Sequence, residues 1–290
     1  MPPLLRLIRP LHLLLALLAY AFGLGLARYL GNTPRLEAQF LGGIIVVLLL
    51  GASGLFNAGF RPFHEPIKPG ETPAEREASG KLLRAFGVAF LSVAAMLFFL
   101  MQRIGLIRLD SGLLLAAFTT LAMVNALPPV RLSNRGFGEI VDAFLIASLT
   151  PTLAFVLQTG EFHRLLSILT FPLFLIALAC FLALNFPTYA NDLKYERRSL
   201  LIALTWQQAV PIHHLLLTAA YLLLAAGPFF GISFALLWPV LLTLPLAAWQ
   251  AWTLNNIANG TAPFWRPFKI SAFALIGLAA YLLALAFWLG

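Results

Sequence analysis

A chain of 290 residues that is 61% hydrophobic and only 10% charged, with a mean hydropathy of +0.90, lies outside the composition of a soluble globular domain. Its formal net charge of +8 comes from 19 Lys and Arg against 11 Asp and Glu. The positive residues fall mostly in short loops between apolar stretches, where topology and anionic lipid headgroups account for them, and this excludes nucleic acid as the partner. Cys180, alone in an apolar stretch, excludes an intrachain disulfide and a cysteine-rich metal site.

Nine apolar stretches follow one another, roughly 9–29, 38–58, 82–101, 108–127, 138–157, 164–185, 207–226, 229–251 and 269–288. Each approaches the ~20 residues that cross a bilayer as a helix, which predicts an all-α polytopic membrane protein with one transmembrane domain over 1–290. Tyr20 to Leu30 offers no clear small-residue cleavage site, so the first stretch reads as a retained helix. Only Gly227 and Pro228 interrupt the apolar run 200–251, which leaves the last three boundaries the softest. With the amino terminus in the cytoplasm, Arg28, Arg35, Arg103, Arg108 and Arg164 lie outside and the other 14 of the 19 Lys and Arg lie inside. That bias sets the orientation and gives two polar cytoplasmic loops, near 59–81 and 186–206.

The first polar cluster, LFNAGFRPFHEPIKPGETPAERE, leaves the second stretch through Asn57, Arg61, His64, Glu65 and Lys68. Asn57, Arg61 and Glu65 are spaced four apart and share a face if the helix continues, although Pro62 and Pro66 predict that it ends nearby. A solvated turn-rich loop and a substrate-binding loop are both consistent with this pattern. Asn125 closes the fourth stretch, and PPVRLSNRGFGE then sets Arg131, Arg135 and Glu139 at the membrane surface. Glu139 either orients one of these arginines or favours the dipole of the next helix, and Asp142, one turn further in, needs a partner or water. Gln158 ends the fifth stretch as a substrate contact or a cap.

The third cluster, NFPTYANDLKYERRSL, spaces Asp192 and Glu196 four apart with Asn185 and Tyr189 near the same face. Carboxylates are hard ligands suited to Mg²⁺, and Lys194, Arg197 and Arg198 would supply positive charge for diphosphate oxygens. A positive-inside loop whose acidic pair balances its neighbours is the simpler reading. His213 and His214 lack a nearby carboxylate and read as packing.

Residues 120–200 resemble the aromatic prenyltransferases of the UbiA superfamily, closest to the menaquinone-pathway branch that prenylates 1,4-dihydroxy-2-naphthoate. The resemblance rests on PPVRLSNRGFGE, on TPTLAFVLQTGEF and on NFPTYANDLKYERRSL, which is similar to the second aspartate-rich motif of that family. It implies nine transmembrane helices around a central cavity in a prokaryotic cytoplasmic membrane. It also implies that Mg²⁺ and the diphosphate of an isoprenyl donor are held at the cytoplasmic mouth before an electron-rich ring attacks the prenyl carbon. The first motif begins at Asn57 and carries Arg61 and Glu65 where the family has its first two aspartates. The second has Thr188 at the first aspartate and Asp192 at the second, with Glu196, Arg197, Arg198 and Ser199 over the Gly-Lys-Arg-Thr stretch.

On this basis Asp192, Glu65 and Glu196 are the expected catalytic and Mg²⁺-ligating residues. Asn57, Arg61, Lys68, Asn125, Arg131, Arg135, Gln158, Asn185, Tyr189, Lys194, Arg197 and Arg198 are the expected substrate contacts. The expected partners are an isoprenyl diphosphate, a lipophilic aromatic acceptor and membrane lipids, with no obligate protein partner. The altered aspartates leave a second expectation, a non-catalytic isoprenoid- or quinone-binding carrier on the same fold.

Overall fold

The computed structural model describes residues 7–61, 65, 67 and 70–290. Among these, nine helices are long and apolar enough to cross a membrane, and there is no strand, so the chain is an all-α integral membrane protein. They are α1 (Pro10–Tyr29), α2 (Leu36–Gly59), α3 (Pro73–Arg103), α4 (Leu109–Ala126), α5 (Gly138–Thr159), α6 (Arg164–Lys194), α7 (Leu200–Ala225), α8 (Phe234–Ala258) and α9 (Trp265–Leu289).

The expected stretches correspond one to one with these helices, and the differences at their ends have local causes. α3 starts nine residues before the apolar run at 82 because Thr72 and Glu75 form a capping box with Pro73 in the first turn. The predicted loop 59–81 is therefore partly helix. Residues 186–194 likewise continue α6, through a 3₁₀ turn at Phe186–Thr188 and a last short helix, Tyr189–Lys194. Within α7, Thr205 takes φ 65° and ψ 159°, a break at the end of the predicted loop 186–206. In α8 the helix parts between Leu241 and Leu244, next to Pro239 and Pro245.

α5 carries the distortion that matters most for packing. Pro151 has no N–H to return to the preceding turn, and residues Leu145–Leu149 widen into a π-helical turn. The Thr150 hydroxyl donates to the Leu145 carbonyl at 2.7 Å. α1 lies directly against this region at Gly23, where a Cβ would sit 2.1 Å from the Pro151 carbonyl oxygen. α1 packs on α2, α5 and α9, while α6 packs on α5, α7 and α9, so α1, α5 and α6 form the centre of the bundle. At one end of that centre Arg9, at the start of α1, is paired with Asp142 of α5 at 2.7 Å, and Asn125 of α4 donates to the other Asp142 oxygen at 2.8 Å. Asp142 thereby finds the partner that its depth requires.

Two outcomes check this packing. Gly23→Ala should lower unfolding stability in detergent by about 1–3 kcal/mol through overpacking, seen as a lower Tm. Gly277→Ala, whose added Cβ would first meet Leu15 at an ordinary 3.5 Å, should leave Tm unchanged. A double-mutant cycle of Arg9→Gln and Asp142→Asn should give a coupling of about 1–3 kcal/mol, and additivity would show that the pair does not hold α1 to α5.

Candidate functional site

A cavity of about 240 Å³ opens at the end of the bundle where α2 finishes, α5 begins and α6 runs out. Its lining includes Arg9, Asn57, Arg61, Glu65, Arg131, Glu139, Asn185, Thr188, Asp192 and Arg197. Both predicted polar loops therefore meet at one mouth, and the turn PPVRLSNRGFGE closes it from a third side.

Each wall is set by local chain geometry. α2 ends at Gly59, so the spacing of Asn57, Arg61 and Glu65 is not continued as helix, yet Arg61 Nη1 still reaches Glu65 Oε1 at 2.9 Å. From α3, Arg76 donates to the carbonyls of Glu65 (3.0 Å) and Arg61 (2.8 Å). Arg131, at φ 41°, turns its guanidinium back to the end of α2, donating to the carbonyls of Phe60 (2.7 Å) and Asn57 (3.0 Å). Those carbonyls are ones that the helix end leaves open. The Ser133 hydroxyl donates to Asn57 Oδ1 at 2.6 Å. Across the mouth, Asn185 Nδ2 and the Leu200 N–H donate to the two oxygens of Glu139 at 2.6 and 3.1 Å.

The centre of the site is a carboxylate shared between guanidiniums. Glu65, 2% exposed, accepts from Arg61 and from both Nε (2.9 Å) and Nη2 of Arg197, while Arg197 Nη1 lies 3.4 Å from Asp192 Oδ1. Asp192 also accepts from the Thr188 hydroxyl at 3.0 Å. Burial pushes the Arg61 and Arg197 guanidiniums down to about 10, and neighbouring arginines, Arg9 among them, push the same way. Both stay charged at neutral pH. Burial and the proximity of Arg61 also lower Arg131. The arginines repel one another, so an anion entering the mouth relieves them.

A second pocket of about 310 Å³ adjoins the mouth, sharing Arg9, Ser133, Glu139, Leu184 and Asn185 with it and adding His12, Asp142, Phe181, Lys269 and Phe273. The His12 ring stacks on Phe181 at 4.9 Å and meets Phe273 edge-on at 5.8 Å. The site thus joins an arginine-rich mouth to a mixed pocket that carries Phe181 and Phe273 on one side.

Of the expected site residues, Asn57, Arg61, Glu65, Arg131, Asn185, Asp192 and Arg197 come together at the mouth. Glu196 does not join them: the helix stops at Lys194, Glu196 turns to φ 52°, and its side chain is exposed, so the four-residue spacing from Asp192 no longer shares a face. Lys194 is exposed beside the Tyr195 ring, Arg198 is exposed, and Arg135 donates to the Pro129 carbonyl at the surface. Tyr189 packs edge-on against Trp206. Asn125 supports Asp142 rather than lining the mouth. Gln158 pairs with the Arg35 backbone at the other end of α5, 22 residues long in all, and so about 30 Å away. Lys68 lies outside the described residues. Of the two histidines, His214 meets the Ala251 carbonyl at 3.0 Å between α7 and α8, and neither lines the mouth.

Arg9 was not foreseen as a site residue, since beside Pro10 it reads as one more positive-inside charge. The signal that could have found it is Asp142, a carboxylate one turn inside a helix that needed a cation.

The donor set does not fit Mg²⁺ as expected. Such an ion wants near-octahedral oxygens at about 2.0–2.1 Å. Both oxygens of Glu65 are instead taken by guanidiniums, Asp192 is held by Thr188 and Arg197, and Glu196 faces away. Among the described residues no three of His, Cys, Asp and Glu converge on a metal position.

No protein-family model matches the sequence, and no curated protein matches it. Solved structures do match. A UbiA homologue from Archaeoglobus fulgidus bound to DMAPP and Mg²⁺ is 18% identical, with a TM-score of 0.64 over 97% of this chain and 98% of its own. The same homologue bound to GPP and Mg²⁺ gives 17% identity and a TM-score of 0.63 over 97% and 99%. A digeranylgeranylglyceryl phosphate synthase gives 15% identity and a TM-score of 0.54 over 99% and 97%. The chain has the fold of these UbiA-type membrane proteins along nearly its whole length.

Proposed function

We propose that this chain is a member of the UbiA superfamily that transfers a prenyl group from an isoprenyl diphosphate to an aromatic or other lipophilic acceptor. The observation that carries the reading is an arginine-lined mouth adjoined by a pocket that carries Phe181 and Phe273, at one end of an apolar bundle. The fold shared with homologues bound to DMAPP and GPP supports it. Asn57, Arg61, Arg131, Asn185 and Arg197 face the diphosphate in this reading, and Glu65 and Asp192 position the arginines.

The chemistry follows from the two halves. When the allylic C–O bond breaks, diphosphate leaves with the electron pair and guanidiniums neutralise its growing charge. The prenyl cation is left beside the Phe181 and Phe273 rings, whose faces favour it. A ring carbon of the acceptor then bonds to the prenyl carbon and the ring loses a proton. The menaquinone-type acceptor suggested by the resemblance is the first to try. The positive-inside bias supports an amino terminus and mouth on the cytoplasmic side.

A second reading has one specific observation in its favour: Glu65 and Asp192, where the motif resemblance expects aspartates, are occupied by Arg61, Arg197 and Thr188. It is a carrier that binds an isoprenoid without ionising it. One assay separates the two. Purified protein given geranyl diphosphate and a panel of aromatic acceptors, with and without Mg²⁺, should release diphosphate and form prenylated product. Binding without release selects the carrier, and absence of binding overturns both.

A further inference from the structure

The mouth carries four arginines and three carboxylates, Glu65, Glu139 and Asp192. Glu139 is satisfied by Asn185 and the Leu200 N–H and meets no arginine. Glu65 is shared by Arg61 and Arg197, and among the described residues Arg131 has no carboxylate partner, its Nη atoms being fixed by the carbonyls of Phe60 and Asn57. Its Nε is buried and meets no partner among the described residues. A cation entering here would face four guanidiniums and would have to displace Arg197 from both of its carboxylates. An anion meets the opposite situation, with fork-shaped donors already gathered and held.

We infer that the mouth binds the diphosphate of its ligand directly through guanidinium groups, with Arg61 and Arg197 held in place by Glu65 and Arg131 by the end of α2, so that binding needs no divalent cation. This rests on the isoprenyl diphosphate reading above and adds the means of recognition. In it Arg61, where the motif resemblance expects an aspartate, binds the diphosphate without a metal bridge. Glu65 is a positioning residue for the arginines rather than a metal ligand.

The test titrates full-length protein in detergent with geranyl thiolodiphosphate, which keeps the diphosphate and the isoprenyl tail but resists ionisation. Binding is read calorimetrically in EDTA and in Mg²⁺. The two Kd values should agree within about threefold, and Arg61→Gln should weaken binding in EDTA by about tenfold or more. Glu65→Gln separates the two roles of the carboxylate. With its hold on the arginines loosened, affinity should fall several-fold and equally in EDTA and in Mg²⁺, whereas removal of a metal ligand would abolish only Mg²⁺-dependent binding. If Arg61→Gln melts below wild type, Arg61→Lys is read instead, and loss of the fork should still weaken binding.

Binding that vanishes in EDTA, returns with Mg²⁺ and is lost in Glu65→Gln overturns this inference and leaves the isoprenyl diphosphate reading standing. Undiminished EDTA affinity in both Arg61 variants also overturns it. No binding of the thiolodiphosphate in either buffer overturns the inference and the proposed function together.

Discussion

Glu65 sits almost fully buried between two loops that the sequence separates by 132 residues, and its carboxylate is what draws them together. Arg61 reaches it from the end of α2, Arg197 from the turn between α6 and α7, and Arg76 of α3 donates to the carbonyls of Glu65 and Arg61. A buried carboxylate without cations would be uncompensated, at about 3–5 kcal/mol. The loops therefore hold their positions because the charge demands it. The mouth, with its arginines ready for an anion, is a consequence of that clasp.

The same requirement recurs one layer deeper. Asp142 faces the interior of the bundle and is answered by Arg9 from α1 and Asn125 from α4. Apolar packing gives no direction to helices already surrounded by lipid tails, since the tails are as apolar as the helices. Close approach at Gly23 against Pro151, and polar pairs at Asp142 and Glu65, therefore set how α1, α2, α5 and α6 meet. Because Arg9 borders both the mouth and the adjoining pocket, the interactions that fix the fold also shape the site.

That economy bears on function. At the mouth Arg61 lies beside Glu65, and Arg197 lies between Glu65 and Asp192. The groups available to a ligand there are mainly cationic. An anion fits such a mouth, because guanidiniums can neutralise it.

Much of the architecture was legible along the chain. Apolar runs near 20 residues admit only a membrane helix, because backbone groups in lipid must be bonded within the segment. The start of α3 was equally legible in Thr72, Pro73 and Glu75, yet its polar composition disguised it as loop. Asn57, Arg61, Glu65, Asp192 and Arg197 stood out as charged or amide groups at the ends of apolar stretches. Their mutual arrangement did not. Glu196 shares a face with Asp192 only while the helix lasts, and a left-handed turn ends it. Gln158 belongs to a suggestive motif but lies at the far end of α5. By itself the sequence determined the membrane class, the helix count and the residues rich enough in charge to act. Only the tertiary structure decided that Arg9 joins the site, that Glu196 leaves it and that Arg197 bridges Glu65 and Asp192, because ion pairs across such separations depend on how helices pack and not on local periodicity.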